Sequence, residues 1–163
     1  MKPHIRWMIR RDLIEVVEIE SQSFEHPRSG GEMLSRLRKL NVIGVIAEHS
    51  NHVLGFMFFE LQPGAMELTT IAVHDEHRRK GIGSALLDHL ARKLNPYCRK
   101  RIRCEIRETN VAGQVFFRAN RFQATDVLHG LYYESDEAAY AMERKYTHKY
   151  AVTNRITRYM GAK

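Results

Sequence analysis

Between Glu67 and Leu94 the spacing of apolar side chains changes period, and a basic turn with two glycines sits where it changes. Glu67-Leu68-Thr69-Thr70-Ile71-Ala72-Val73 is β-rich and reads as a strand. Ile82, Leu86 and Leu90, joined by Leu87, Ala91 and Leu94, repeat at helical spacing and predict about four turns, as far as Asn95-Pro96. Between strand and helix lie Arg78-Arg79-Lys80-Gly81-Ile82-Gly83-Ser84. The first turn of such a helix exposes unpaired N–H groups and a partial positive charge. Gly81 and Gly83 carry no Cβ and let a ligand approach the backbone. Arg78, Arg79 and Lys80 add full charges. Together these features describe a pyrophosphate cradle.

The type of cradle follows by comparison. A kinase-type loop needs Gly-x4-Gly-Lys-Ser/Thr, which is absent. A dinucleotide fingerprint needs a third small residue after Gly81-x-Gly83, but that place is Leu86. The arrangement Arg78-x-x-Gly81-x-Gly83 instead resembles the acetyl-CoA loop of the GNAT superfamily of N-acetyltransferases. The resemblance continues through Glu105-Ile106-Arg107-x-Thr109-Asn110, Phe116-Phe117-Arg118-x-x-Arg121-Phe122 and Leu131-Tyr132-Tyr133. These blocks look like the RimI-type branch, which acetylates the α-amino groups of protein N-termini. The likeness covers roughly residues 5–145.

The rest of the chain fits one α/β (α+β) domain over residues 1–145, followed by a basic extension, 146–163. Ile5-Arg6-Trp7 with Met8-Ile9 predicts an opening strand. Leu13, Val16, Val17 and Ile19 predict a helix with Asp12 as N-cap. Met33, Leu34, Leu37 and Leu40 follow at helical spacing. Val42–Glu48 and Val53–Gln62 predict a hairpin turning at His49–His52, and Pro63-Gly64 the next turn. Ile102, Cys104 and Ile106 alternate with Arg101, Arg103, Glu105 and Arg107. Asn110 is placed to cap a helix bearing Val111, Val115, Phe116 and Ala119. Phe122–Leu128 and Ala138–Glu143 predict closing strands. The resemblance implies a mixed central sheet of about seven strands flanked by about four helices, with strands splayed at the cofactor loop.

Composition narrows the setting. The chain has 163 residues, 44% of them hydrophobic, enough for a buried core without disulfides or metal. No apolar run approaches the ~20 residues of a membrane span. Two cysteines six residues apart and no signal-like N-terminus predict a reducing cytoplasm and no membrane. The net charge of +7 owes more than half its excess to Lys149, Arg155, Arg158 and Lys163 in the extension. A basic surface favours anionic partners, and the extension is where nucleic acid would bind. His74-Asp75-Glu76-His77 has metal-ligand chemistry but falls in a loop where polar residues are expected, so no metal is assigned there.

By the resemblance, acetyl-CoA is the cosubstrate. Ile71, Ala72 and Val73 offer backbone hydrogen bonds to its pantetheine arm, Arg78, Arg79, Lys80, Gly81, Ile82, Gly83 and Ser84 surround the pyrophosphate, and Asn110 contacts it near the next helix. Glu105 falls at the place of the general base. Glu67 is a second candidate, because other branches use a glutamate before the loop. A solvated salt-bridge role for both is the third reading. Arg103 and Arg107 flank Glu105 on one face, favouring its charged form and weakening it as a base.

Phe117 stands on the cofactor side where the branch has a tyrosine that protonates the departing sulfur. Tyr132 and Tyr133 are alternative acids, or an aromatic pair lining the acceptor cleft. Arg121 replaces a glycine at the end of its helix, with Asn120 able to take the left-handed conformation. The acceptor implied is a primary amine, a protein N-terminus such as that of a ribosomal or other protein, and the enzyme a monomer or dimer. Acetylation of small-molecule amines and a non-catalytic acetyl-CoA-binding or RNA-associated module are the competing functions.

Overall fold

A computed structural model of the chain describes residues 2–130 and 137–147. The strands are β1 His4–Trp7, β2 Val42–His49, β3 His52–Gln62, β4 Gly64–Val73, β5 Arg99–Arg107, β6 Gln123–Leu128 and β7 Ala139–Lys145. The helices are α1 Leu13–Ser23, α2 Gly30–Leu37, α3 Ile82–Ala91 and α4 Val111–Ala119. The seven strands run in the order β1-β2-β3-β4-β5-β7-β6. β4 and β5 are parallel, while β1/β2, β2/β3, β5/β7 and β6/β7 are antiparallel. This is the mixed sheet with four helices that the sequence implies. The elements gather into two compact units, one holding the chain up to Gln62 with Leu68–His89, the other Pro63–Glu67 with the described residues from Leu90 on.

The first unit is built on the predicted hairpin. Ser50 and Asn51 both have positive φ, 51° and 65°, as a two-residue turn matched to strand twist requires. Val16 and Ile19 of α1, Met33 of α2, Ile46 of β2 and Phe56 and Phe58 of β3 are all but inaccessible and form one cluster. Two expectations change. Asp12 stands just before α1, yet its carboxylate takes Arg6 at 2.8 and 2.9 Å and the Ile9 N–H at 2.8 Å instead of capping the helix. Burial would raise the Asp12 carboxyl, but these donors hold it below the usual carboxylate range. Leu40, predicted on the apolar face of α2, lies beyond its end and is fully exposed.

α3 is shorter than its periodicity suggests. It stops at Ala91 after about three turns, although Leu94 is still buried. Lys93 and Leu94 donate to Leu90 and Ala91, three residues back, so the exit tightens. The Asn95 carboxamide then accepts the N–H groups of Tyr97 and Cys98 at 3.1 and 2.7 Å and turns the chain toward β5.

In the second unit the alternation along β5 is realised, with Ile102, Cys104 and Ile106 buried and Arg103, Glu105 and Arg107 exposed. Asn110 caps α4 as expected, its Oδ1 accepting the Gly113 N–H at 2.9 Å. A Cβ on Gly113 would come within 2.7–2.9 Å of that carboxamide, so the glycine makes room for the cap. The face of α4 differs from prediction. Val111 and Val115 are 63% and 56% exposed, and the buried residue is Phe117.

The left-handed residue at the end of α4 is Arg121, with φ 68°, and not Asn120, with φ −95°. Arg121 and Phe122 donate to Arg118 and Phe117, both at 3.0 Å, the paired bonds of a Schellman ending. The ring of Phe122 packs edge-on against Phe117 at 5.0 Å, the apolar contact that accompanies it. Asn120 serves differently, its Nδ2 donating to Phe116 O at 2.8 Å. Because Arg121 occupies a conformation costly for an L side chain, Arg121→Gly should stabilise the protein by about 0.5–1 kcal/mol. The measurement is a urea unfolding midpoint, which should rise without a change of slope.

Candidate active site

Two groups of candidate residues stand out, each within one unit. The first is the basic loop after β4. Arg78 does not project freely from it. Its Nε donates to Val73 O at 3.1 Å, and its Nη2 to Ser23 Oγ at 3.2 Å and Gln22 O at 3.4 Å, fastening the loop to its own strand and to the end of α1. Arg79 and Gly81 both have positive φ, 60° and 82°. Nothing lies within 4 Å of a Cβ built on Gly81, so inside the protein glycine is needed there for its backbone angle rather than for space.

The first bond of α3 runs from Ala85 N to Gly81 O at 2.9 Å, which makes Gly81 the cap position. With no side chain on Gly81 to cap them, the N–H groups of Ile82, Gly83 and Ser84 begin the helix. Arg79 and Lys80 are exposed beside them. Upstream, the pairing of β4 with β5 runs from Gly64 to Glu67, so Ile71, Ala72 and Val73 lie past it. Gly55 holds this end of β4 from β3, where a Cβ would meet Ala72 O at 2.8 Å.

The second group lines a pocket of about 460 Å³ on the exposed face of β5 and its neighbours. Glu67 and Arg103 face each other in the β4/β5 register, and Glu143 faces Arg103 from β7. Glu105, two residues along β5, lines the same pocket. The structure thus brings both candidate bases together. Glu105 is exposed and makes no hydrogen bond or ion pair among the described residues, while Glu67 is half-buried.

Two of the arginines along β5 are engaged in ion pairs. Arg101 pairs with Glu143 at 3.4 Å and Arg107 with Glu137 at 3.2 Å. The charged lining is Glu67, Glu105, Asp126 and Glu143 against Arg101 and Arg103, an acidic balance that suits an ammonium group. Glu143 and Asp126 were not among the sequence-predicted site residues, because they sit on strands whose neighbours only the fold determines.

Burial pushes the Cys104 thiol far up, and the carboxylates of Glu67 and Glu105 push it further. It stays protonated at neutral pH and is not poised as a nucleophile. Cys98 is free and exposed. Phe117 is buried against Phe116 and Phe122, with centroids 5.2 and 5.0 Å away. Tyr132, Tyr133 and the extension from residue 148 lie outside the described residues. No helix among those described is long and apolar enough to cross a membrane.

A basic loop capped by glycine, on the strand–turn–helix of a mixed seven-stranded sheet, is an anion-binding arrangement suited to a pyrophosphate. The acetyltransferase (GNAT) family model matches residues 11–121, and the chain belongs to that family. It is an acetyltransferase, of a fold that binds acetyl-CoA. Over 146 residues it is 25% identical to an N-alpha-acetyltransferase of Saccharolobus solfataricus, spanning 82% of this chain and 87% of the relative. Ard1 from Thermoplasma volcanium superposes with a TM-score of 0.79 at 23% identity, covering 90% of this chain and 99% of that one. The ribosomal-protein-S18-alanine N-acetyltransferase of Escherichia coli does so with 0.77 at 21%, covering 89% and 94%. These two structural likenesses are of fold.

Burial would raise the Glu143 carboxyl, but hydrogen bonds from Lys145 and Arg101 hold it below the usual carboxylate range. A depressed folded value contributes stability above the unfolded value of about 4.3, lost as pH falls through the lower folded value. Acid titration of stability should therefore show a loss starting near pH ~4.3 that is smaller in Glu143→Gln.

Proposed function

We propose that the chain transfers acetyl from acetyl-CoA to the α-amino group of a polypeptide N-terminus. The observation that carries this reading is the acidic pocket holding Glu67 and Glu105 on one face. Support comes from the relative named as an N-alpha-acetyltransferase. The loop residues Arg79–Ser84 and the backbone of Ile71–Val73 hold the cosubstrate, with Asn110 and Phe117 beside it. Arg78 acts by bracing the loop.

The incoming ammonium is drawn to the carboxylates and gives up a proton to Glu105, or to Glu67, directly or through a water. Its lone pair attacks the thioester carbon. Backbone N–H groups near Ile71–Val73 stabilise the oxygen that becomes negative. The nitrogen gives up its second proton to solvent as the C–S bond breaks and the amide forms, and the sulfur takes a proton from Tyr132, Tyr133 or solvent.

Two measurements test the assignment. Glu105→Gln should lower kcat by roughly 10²-fold or more with acetyl-CoA affinity unchanged by calorimetry. A comparable loss only in Glu67→Gln makes Glu67 the base, and no loss in either removes the pocket from catalysis. For the acceptor, a peptide with a free N-terminus should react faster at pH 7 than its N-blocked, lysine-containing twin. Faster acetylation of the blocked peptide overturns the α-amino reading.

A further inference from the structure

His74, Asp75, Glu76 and His77 lead directly into the basic loop, and the function above uses none of their side chains. In the structure Asp75–His77 form a 3-10 turn closed by the His77 N–H on His74 O at 2.9 Å. Three residues per turn stack positions i and i+3 on one side, and the two imidazoles accordingly stand 5.6 Å apart between centroids. Ligand atoms of His74, Glu76 and His77 all lie within 4.8 Å of one another.

Nδ1 of each histidine is buried and has no hydrogen-bond partner among the described residues. Asp75 Oδ1, which accepts the Glu76 N–H at 2.7 Å, lies 3.1 Å from His74 Nδ1 as an ion-pair contact without hydrogen-bond geometry, so His77 Nδ1 is the one with neither kind of partner among the described residues. Ring nitrogens withdrawn from water without partners are costly, and coordination uses the lone pair of a neutral imidazole.

We propose that His74, Glu76 and His77 bind one divalent transition-metal ion of the zinc type. Two imidazoles and a carboxylate suit zinc, cobalt or nickel, whereas magnesium and calcium call for oxygen ligands throughout. Tetrahedral zinc with bonds of about 2.0–2.1 Å sets its ligands roughly 3.3 Å apart. The cluster reaches that spacing by side-chain rotation, since Glu76 is exposed and both rings are partly accessible. The carboxylates of Asp75 and Glu76 offset the ion against the cations at 78–80, and Arg78 is turned toward Val73 O and the end of α1. A bound ion bridges His74 and His77 across the backbone bond that already closes the turn, and so stiffens the approach to the loop.

The full chain, stripped with EDTA, is loaded with zinc chloride or magnesium chloride, desalted, and read by elemental analysis and scanning calorimetry. The expected result is one zinc per chain and a raised thermal midpoint, with neither for magnesium. Glu76→Gln, at an exposed position, should weaken zinc binding about tenfold or more, and the double variant His74→Ala/His77→Ala should abolish saturable binding. Cobalt loading should give a spectrum without sulfur-to-metal charge transfer. No retained zinc, undiminished binding in either variant, or a thiolate band assigning the ion to a cysteine would overturn the proposal. If the double variant fails to fold, Glu76→Gln decides. None of these readouts depends on acetyl transfer.

Discussion

Three helices of this protein begin with different answers to the same problem. An α-helix leaves its first N–H groups without partners inside the helix, and a side chain normally supplies one. α2 has Ser29, whose hydroxyl accepts the Glu32 N–H while Glu32 reaches back to Ser29. α4 has Asn110 on Gly113. α3 has Gly81, which has no side chain at all, at a φ of 82° that other residues adopt only with strain. α3 shares the lack of a side-chain cap with α1, but it alone is preceded by Arg79 and Lys80. Much of the architecture maintains that arrangement. Ile82, Leu86, Leu87 and Leu90 bury one side of α3, and Arg78 ties the incoming chain to Val73 and the end of α1. A free helix start is useful only when it is held in place.

The basic loop and the acidic pocket carry opposite charges, and the proposed function gives each a role. Its cosubstrate is an anion far from its reacting carbon, which suits the loop. Its acceptor is a cation until it loses a proton, which suits the pocket. Glu143 and Glu137 take up Arg101 and Arg107, and the carboxylates lining the pocket outnumber its arginines even with Arg103 among them. Glu105, exposed and without a partner among the described residues, is the base of the proposed reaction. Cys104, buried between the influence of Glu67 and Glu105, remains a thiol, so a path through an acylated cysteine finds no activated nucleophile in the pocket.

What the sequence made legible was whatever depends on a residue and its near neighbours. The period change at Gly81, the alternation along β5, the hairpin at Ser50-Asn51 and the cap at Asn110 are local consequences of side-chain shape, and the structure contains all of them. The readings that changed depend on distant partners. Asp12 has the right chemistry to cap α1, but Arg6 claims it. Val111 and Val115 match the period of α4, but its packed side is set by the Phe117–Phe122 contact at its end. The pocket's acidic balance was not legible because Glu143 meets Arg101 only through the β5/β7 register. The left-handed residue moved from Asn120 to Arg121 because the bonds to Phe117 and Arg118 fix which position must turn.

Phe117 tests whether the chemistry can proceed without a tyrosine at that place, and the proton balance says that it can for one class of acceptor. Presenting a neutral amine at pH 7 costs about 1 kcal/mol for an α-amino group of pKa ~7.7–8.0, and nearly ~5 kcal/mol for a lysine at ~10.4. The departing thiolate, with a thiol pKa near ~8.5, is a stronger base than the α-amine and a weaker one than lysine. Moving the proton from ammonium to sulfur is then favourable by about 1 kcal/mol for an N-terminus and unfavourable by about 2.6 kcal/mol for a lysine. A tyrosine would speed this transfer, but for an α-amine it is not needed to make the transfer favourable. Where position 117 lacks a hydroxyl, the acceptor that demands least of the protein is the N-terminal amine, and the proton balance separates it from lysine where the charge of the pocket, attractive to either ammonium, does not.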